Sequence, residues 1–209
     1  MRRSASPRSD ITVRYGHDKT ENFSPRRAGE FFNTIRHKLT DAVVCPEGGA
    51  FAAEAPLRLP RGFHCYRPPL DAPDTVPPPR QRNGFVTFGA FHGVAKINPA
   101  VVAAWAAVLR RMPGSRLRLK ATQFADAVVR DRYRAMLAVV GIDADRLDLR
   151  PRTATTAEHL AEYNAVDVAL DAFPHNGTTT TCEALWMGVP VVTLFGDRPA
   201  ARMSASLLT

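Results

Sequence analysis

Val166-Asp-Val-Ala-Leu-Asp-Ala-Phe-Pro-His-Asn-Gly-Thr-Thr-Thr-Thr-Cys-Glu-Ala-Leu-Trp-Met-Gly-Val-Pro-Val-Val-Thr-Leu194 holds one strand, one loop, one helix and a second strand. Asp167 to Asp171 is a short apolar run of the kind buried in a parallel sheet. A helix is expected from about Thr179 to Met187, where Gly188 supplies the left-handed residue that ends many helices. Val189 to Leu194 then reads as another buried strand. Two strands joined through a helix are parallel, because an antiparallel pair needs only a tight turn whereas a parallel pair needs a crossover.

The same texture extends in both directions. Asn83-Gly84 is a turn, and Phe85 to Gly89 reads as a strand. Asn98-Pro99 is an N-cap followed by proline at the first helical position, opening a helix to about Met112 before Pro113-Gly114-Ser115. Its apolar residues Val102, Trp105, Leu109 and Met112 recur at helical spacing. Arg116 to Ala121 is a second strand, Phe124 to Val140 a helix closed by Gly141, and Leu147 to Arg150 a third strand. Thr155 with Glu158 forms a capping-box pattern for a helix to about Ala165, and Ala200 to Leu208 starts one more helix after Leu194. Repeated strand-helix alternation predicts an α/β fold, a Rossmann-like parallel sheet with helices on both faces. Ligands of such sheets bind in loops beyond the carboxyl ends of the strands.

Outside this region the chain changes character. Eight prolines between Pro56 and Pro79 exclude a regular helix and predict an extended connector. The expected organisation is a basic, poorly ordered arm over 1–54, with a short helix around Ala28 to Leu39; a Pro-rich connector over 55–82; and the sheet domain over 83–209. The 209-residue chain is 45% hydrophobic and 23% charged, which excludes collagen-like and wholly disordered classes. Of its net charge of +8, residues 1–40 carry nine Lys and Arg against four acids, or +5, and residues 41–209 the remaining nineteen against sixteen, or +3. The body is thus only mildly basic, and no nucleic-acid partner is expected. The apolar run Ala100 to Leu109 is about half of the roughly 20 residues needed to cross a bilayer, so no membrane association is expected. Cys45, Cys65 and Cys182 are odd in number and lack CxxC spacing, which fits neither a disulfide framework nor zinc and agrees with a reducing cytoplasm. The N-terminus has arginines but no apolar segment behind them, so a secretory signal is not expected.

Four features of the loops carry candidate chemistry. Asn176-Gly177-Thr178-Thr179-Thr180-Thr181 leads from a strand into a helix N-terminus, where unpaired N–H groups, hydroxyls and a close backbone approach at Gly177 suit a phosphate or diphosphate. On the plainer reading one threonine caps the helix and the others fill space. Glu183 falls about one turn further on, in reach of a ribose whose phosphates lie at the helix start, or else is a surface acid favoured by the helix dipole. Lys96, one of four lysines against 24 arginines, follows the first strand and could neutralise phosphate oxygens or simply be solvated. His159 opens a helix on the same rim and could meet a base; His92 and His175 are further rim histidines of either structural or ligand-contacting type. No metal-ligand spacing, Walker sequence, GxSxG or GxGxxG occurs.

With these loops taken together, the chain resembles the C-terminal catalytic lobe of the O-linked N-acetylglucosamine transferase family in its bacterial form. The resemblance rests on Gly84-Phe-Val-Thr-Phe-Gly-Ala-Phe91 with Lys96-Ile-Asn-Pro99, on Ala157-Glu-His-Leu160, on the quoted stretch from Val166 to Leu194, and on Arg202-Met-Ser-Ala-Ser-Leu207; Leu59 to Pro68 looks like the connector into that lobe. The resemblance implies a two-lobed glycosyltransferase of the GT-B type, of which this is one lobe, truncated at its C-terminal end. Its donor would be UDP-N-acetylglucosamine and its acceptors the Ser or Thr hydroxyls of proteins, with no metal or other cofactor.

By the same resemblance, Lys96 matches the lysine at the diphosphate and stabilises the leaving group. Thr179 and Thr180 match the phosphate-binding threonines, His159 the histidine beside the uracil, and Glu183 a ribose-binding carboxylate, with Asn176, Gly177 and Thr178 in the same donor loop. No general base is identified. Gly93 stands where the family has an amide and Thr156 where some members have a lysine. Residues 1–55 are too few to form a first lobe, so a missing N-terminal lobe or repeat region is an expected partner. A UDP-glucose-dependent protein glucosyltransferase and a non-catalytic nucleotide-sugar-binding fragment are the alternatives.

Overall fold

The computed structural model describes residues 37–47, 55–60 and 62–209. Strand β1, His37–Thr40, pairs in parallel with β2, Ala55–Arg58, in register Leu39 to Leu57. Both lie where the sequence suggests arm and connector. The expected helix around Ala28 to Leu39 therefore ends in a strand at His37–Leu39; its earlier residues, like most of the expected arm, lie outside the described residues. Asp41 closes this region: its Oδ1 accepts the N–H groups of Val43 and Val44, and its other oxygen accepts the Ser206 hydroxyl. The connector ends in one helical turn, α1, Arg80–Asn83, terminated by Gly84 at φ 74°.

Five parallel strands form the main sheet: β3 Thr87–Ala90, β4 Arg116–Lys120, β5 Leu147–Arg150, β6 Val168–Leu170 and β7 Val191–Val192, in the order β5-β4-β3-β6-β7. Between them run α2 Pro99–Arg111, α3 Ala127–Val139, α4 Thr156–Ala161, α5 Thr179–Trp186 and, last, α6 Met203–Leu208. The Asn98 side chain caps α2 through the Val101 N–H, and the Thr155–Glu158 capping box opens α4, as both sequences predict. Phe124 does not start α3. Asp126 caps that helix by accepting from Val128, and Phe124 is left in a preceding 3₁₀ turn, wholly buried.

Because strand side chains alternate, the sheet builds two cores. Phe88, Leu117, Leu119 and Leu170 face α2 and α3 through Val101, Trp105, Leu109 and Leu137, while Phe91 and Val166 pack with Leu160, Tyr163, Ala184 and Met187 on the opposite face. This is the helix-on-both-faces arrangement. Gly89 sits where β3 meets the second core: a Cβ there would lie 2.6 and 2.7 Å from the two methyls of Val166 and 3.2 Å from its Cβ. No rotation about the valine χ1 relieves all three approaches, so Gly89→Ala is expected to destabilise the fold by about 1–3 kcal/mol. An unchanged thermal midpoint would show that β3 and Val166 can separate at little cost.

The strand order positions the site. After β3 the chain builds outward through β4 and β5, then returns to place β6 on the other side of β3. The loops that leave β3 and β6 at their carboxyl ends therefore start side by side where the strand order reverses, the place at which doubly wound sheets bind ligands.

Candidate functional site

The β3 loop contributes Lys96 through a 3₁₀ turn, Val94–Lys96, and the β6 loop contributes Asp171 to Thr178 and the start of α5. Half-buried Lys96 donates from Nζ to the Asn176 carbonyl at 2.8 Å, tying the two loops together. Asn98 adds a second tie from Nδ2 to the Phe173 carbonyl at 2.7 Å. Burial lowers the Lys96 pKa, and the charge of Asp171 opposes that shift.

Asp171 organises the β6 loop. Its Oδ1 accepts the N–H groups of Ala172 and Gly177 at 2.8 and 2.7 Å, and its Oδ2 accepts the Thr193 hydroxyl at 2.8 Å. Buried His92 donates from Nε2 to the Leu170 carbonyl at 3.2 Å, since a carbonyl can only accept; Nδ1 is then the acceptor that faces the Thr180 hydroxyl at 3.5 Å. Burial pushes the His92 pKa down, partly opposed by nearby Asp171. Between His92, Asp171 and Thr180 only about 10 Å³ remains, room for one water at most, so the two loops form a packed platform there.

The four threonines divide by position. Thr178 occupies the N-cap of α5, but its side chain makes no capping bond. Thr179 is exposed, Thr180 is partly buried beside His92, and Thr181 is buried with its hydroxyl 2.8 Å from that of Ser204. No side chain caps the helix, so its first-turn N–H groups keep their capacity for an anion. Asn176 and Gly177 were expected to face a ligand. The structure uses them within the loop instead: the Asn176 Nδ2 donates to Ala172, its N–H to Ala200, and the Gly177 N–H to Asp171. Both residues are buried because the platform must close on itself before it can present Thr178 to Thr180.

A second cluster lies one turn along α5. His159 Nε2 is 3.0 Å from Glu183 Oε2, which brings together two residues 24 positions apart. Its ring packs against Phe91 and edge-on to Tyr163, at centroid distances of 6.0 and 5.8 Å. The Tyr163 hydroxyl donates to the Thr180 carbonyl at 3.1 Å and thereby joins the two clusters. Burial raises the Tyr66 pKa and the charge of Glu183 adds to it, which places the connector beside this cluster. Lys120, at the carboxyl end of β4, also reaches His159; its strand-end position is the signal that marks it in the sequence. His175 is exposed, as is Thr156, and Gly93 has open space around it. A separate cavity of about 550 Å³ lies at the amino end of the sheet, between the Thr75–Pro79 connector and the Met187–Pro190 turn; of these groups Tyr163 lines it.

Among the described residues, no group of three or more His, Cys, Asp or Glu could hold a metal, and no helix is long and apolar enough to cross a membrane.

The chain is similar to known proteins in both sequence and fold. The chain is 42% identical over 176 residues to the probable UDP-N-acetylglucosamine–peptide N-acetylglucosaminyltransferase SPINDLY of Solanum lycopersicum, covering 84% of this chain and 19% of that protein. It is 33% identical over 120 residues to the probable UDP-N-acetylglucosamine–peptide N-acetylglucosaminyltransferase SEC of Arabidopsis thaliana, covering 57% of this chain and 12% of that protein. A solved mutant of the Thermobaculum terrenum O-GlcNAc transferase superposes with a TM-score of 0.76 at 41% identity, over 82% of this chain and 32% of that one. The chain thus spans about a fifth of the length of the first of these relatives. The glycosyl transferase family 41 model matches residues 80–209, which contain the sheet, the threonine platform and the His159–Glu183 pair, and the chain belongs to that family.

Proposed function

We propose that this chain is the nucleotide-sugar-binding lobe of a protein O-GlcNAc transferase. The observation that carries the reading is the pairing, on one rim of the sheet, of Lys96 and the uncapped start of α5 with the His159–Glu183 pair one helical turn away. A diphosphate seated over Thr178, Thr179 and Thr180 has its charge met by an ammonium and a helix N-terminus. Glu183 is then placed for the ribose hydroxyls and His159 for the base. In transfer, an acceptor Ser or Thr oxygen attacks the anomeric carbon, the bond from that carbon to the β-phosphate oxygen breaks, and UDP leaves with the electron pair. Lys96 and the α5 N–H groups stabilise that leaving charge, so the reaction needs no metal. The base that takes the acceptor proton, and the surface that collects acceptor proteins, are proposed to belong to a second lobe. A cytoplasmic setting fits the odd number of cysteines and their lack of CxxC spacing.

Calorimetric titration with UDP, GDP and UDP-N-acetylglucosamine tests the reading. UDP and its sugar are expected to bind, and to bind equally in EDTA. Failure of both to bind at millimolar concentration, or strict metal dependence, would overturn it, and preference for GDP would overturn the assignment of the base pocket. Gly93 provides a separate check. Its φ of −58° suits any residue and a Cβ meets nothing within 4 Å, so Gly93→Ala is expected to raise stability by about 0.4–1 kcal/mol in thermal denaturation.

A further inference from the structure

We infer that Lys120 is a positioning residue for the nucleoside end of the site: by donating to Nδ1 it holds the orientation of the His159 ring, and through His159 that of the Glu183 carboxylate offered to a ribose. The inference rests on the nucleotide-sugar reading above. Lys120 Nζ lies 2.7 Å from His159 Nδ1 and 3.0 Å from Thr153 Oγ1, while the opposite ring nitrogen, Nε2, lies 3.0 Å from Glu183 Oε2. The direction of every bond in this chain follows from donor chemistry. An ammonium has protons and no acceptor, so Nδ1 must present its lone pair; Nε2 then carries the proton and donates it to the carboxylate. A charged imidazole does not fit, because it would point an N–H at the ammonium.

The rest of the surroundings hold this arrangement. Phe91 lies under the Lys120 ammonium at 5.8 Å from its ring centroid and also packs against His159, which Tyr163 meets edge-on. Burial lowers the Lys120 pKa, but Glu162, Glu183 and Glu158 all favour its charged form. Arg150 acts in the opposite sense. Glu183 is thus oriented through its Oε2, and Tyr163 lies close enough to interact with the same carboxylate. Glu183 is buried, so a carboxylate released from this bond could rotate away from the rim.

Long-range ¹H–¹⁵N spectra of the histidine rings in the unliganded 209-residue protein, with His159 assigned through His159→Gln, read the ring directly. His159 is expected as a single Nε2–H tautomer in the native protein; in Lys120→Met the Glu183 carboxylate keeps that tautomer, but the Nδ1 resonance is expected to move as its hydrogen bond is lost, with UDP affinity about tenfold weaker. Lys120→Arg, which still offers a donor, should restore most of both. An Nδ1–H tautomer in the native protein overturns the inference without any variant being needed. So does a Lys120→Met protein whose His159 Nδ1 resonance is unchanged, or one that keeps its UDP affinity. A purely structural role would lower the melting temperature and leave the ring spectrum unchanged. If native protein fails to bind UDP, the nucleotide-sugar reading falls, while the Nδ1 comparison between native protein and Lys120→Met still decides whether Lys120 holds His159.

Discussion

Lys96→Ala is expected to weaken UDP binding by roughly ten- to a hundredfold, the range for a lost hydrogen bond to a charged group, and to lower transfer by the assembled enzyme by about 10²–10³. The larger effect on transfer follows because the leaving β-phosphate gains charge as the glycosidic bond breaks, so the ammonium interacts more strongly with the transition state than with bound donor. The fold should survive: Lys96 is half-buried and donates to the Asn176 carbonyl, whose loop is also held by Asp171 and Asn98. The pH dependence provides a further check. Burial lowers the Lys96 pKa, so its ammonium is lost at a lower pH than an exposed lysine would show. UDP affinity should therefore fall as pH rises on the alkaline side, and fall less steeply in Lys96→Ala. Calorimetry on both proteins measures this; equal affinities, or equal alkaline slopes, would remove Lys96 from the diphosphate site.

Gly177→Ala is expected to abolish measurable UDP binding at a modest cost in stability. A Cβ at Gly177 would lie 2.5 Å from Thr180 Oγ1, 2.9 Å from Thr181 Oγ1 and 3.3 Å from Asp171 Oδ1. Thr180 can rotate away, losing its approach to His92, but the Thr181 hydroxyl is tied to Ser204 and the Asp171 carboxylate to three donors. Relief therefore requires the loop to lift from α5, which displaces the backbone the phosphates would sit on. Overpacking of this kind costs about 1–3 kcal/mol, enough to lower the melting temperature but not to unfold a domain with two cores. A variant with native UDP affinity would show that the loop adapts without loss of its platform.

The reading from sequence was strongest where local chemistry acts alone. The cap at Asn98, the capping box at Thr155, the stop at Gly188 and the loop between β6 and α5 are each decided by a few adjacent residues, and the structure has them. It was weaker where two distant segments compete. Phe124 looked like the first residue of a helix because it is apolar and precedes a helical pattern, yet its burial in the core leaves Asp126 to cap α3. His37 to Leu39 looked helical for want of any visible partner. They are a strand because Ala55–Arg58 lies alongside, and no local signal reports a strand pairing.

By itself the sequence determined the alternation of strands and helices, hence the parallel sheet, and marked Lys96, His159, the threonines and Glu183 as rim residues, because periodicity, caps and loop composition are properties of neighbouring residues. Only the tertiary structure decided what those residues do to one another. It turned Asn176 and Gly177 inward, joined His159 to Glu183 across 24 positions, and brought Lys120 from β4 against His159. The physical reason is the strand order: β6 returns beside β3, so loops far apart in the chain share one rim of the sheet, and hydrogen-bond partners there are chosen by distance in space.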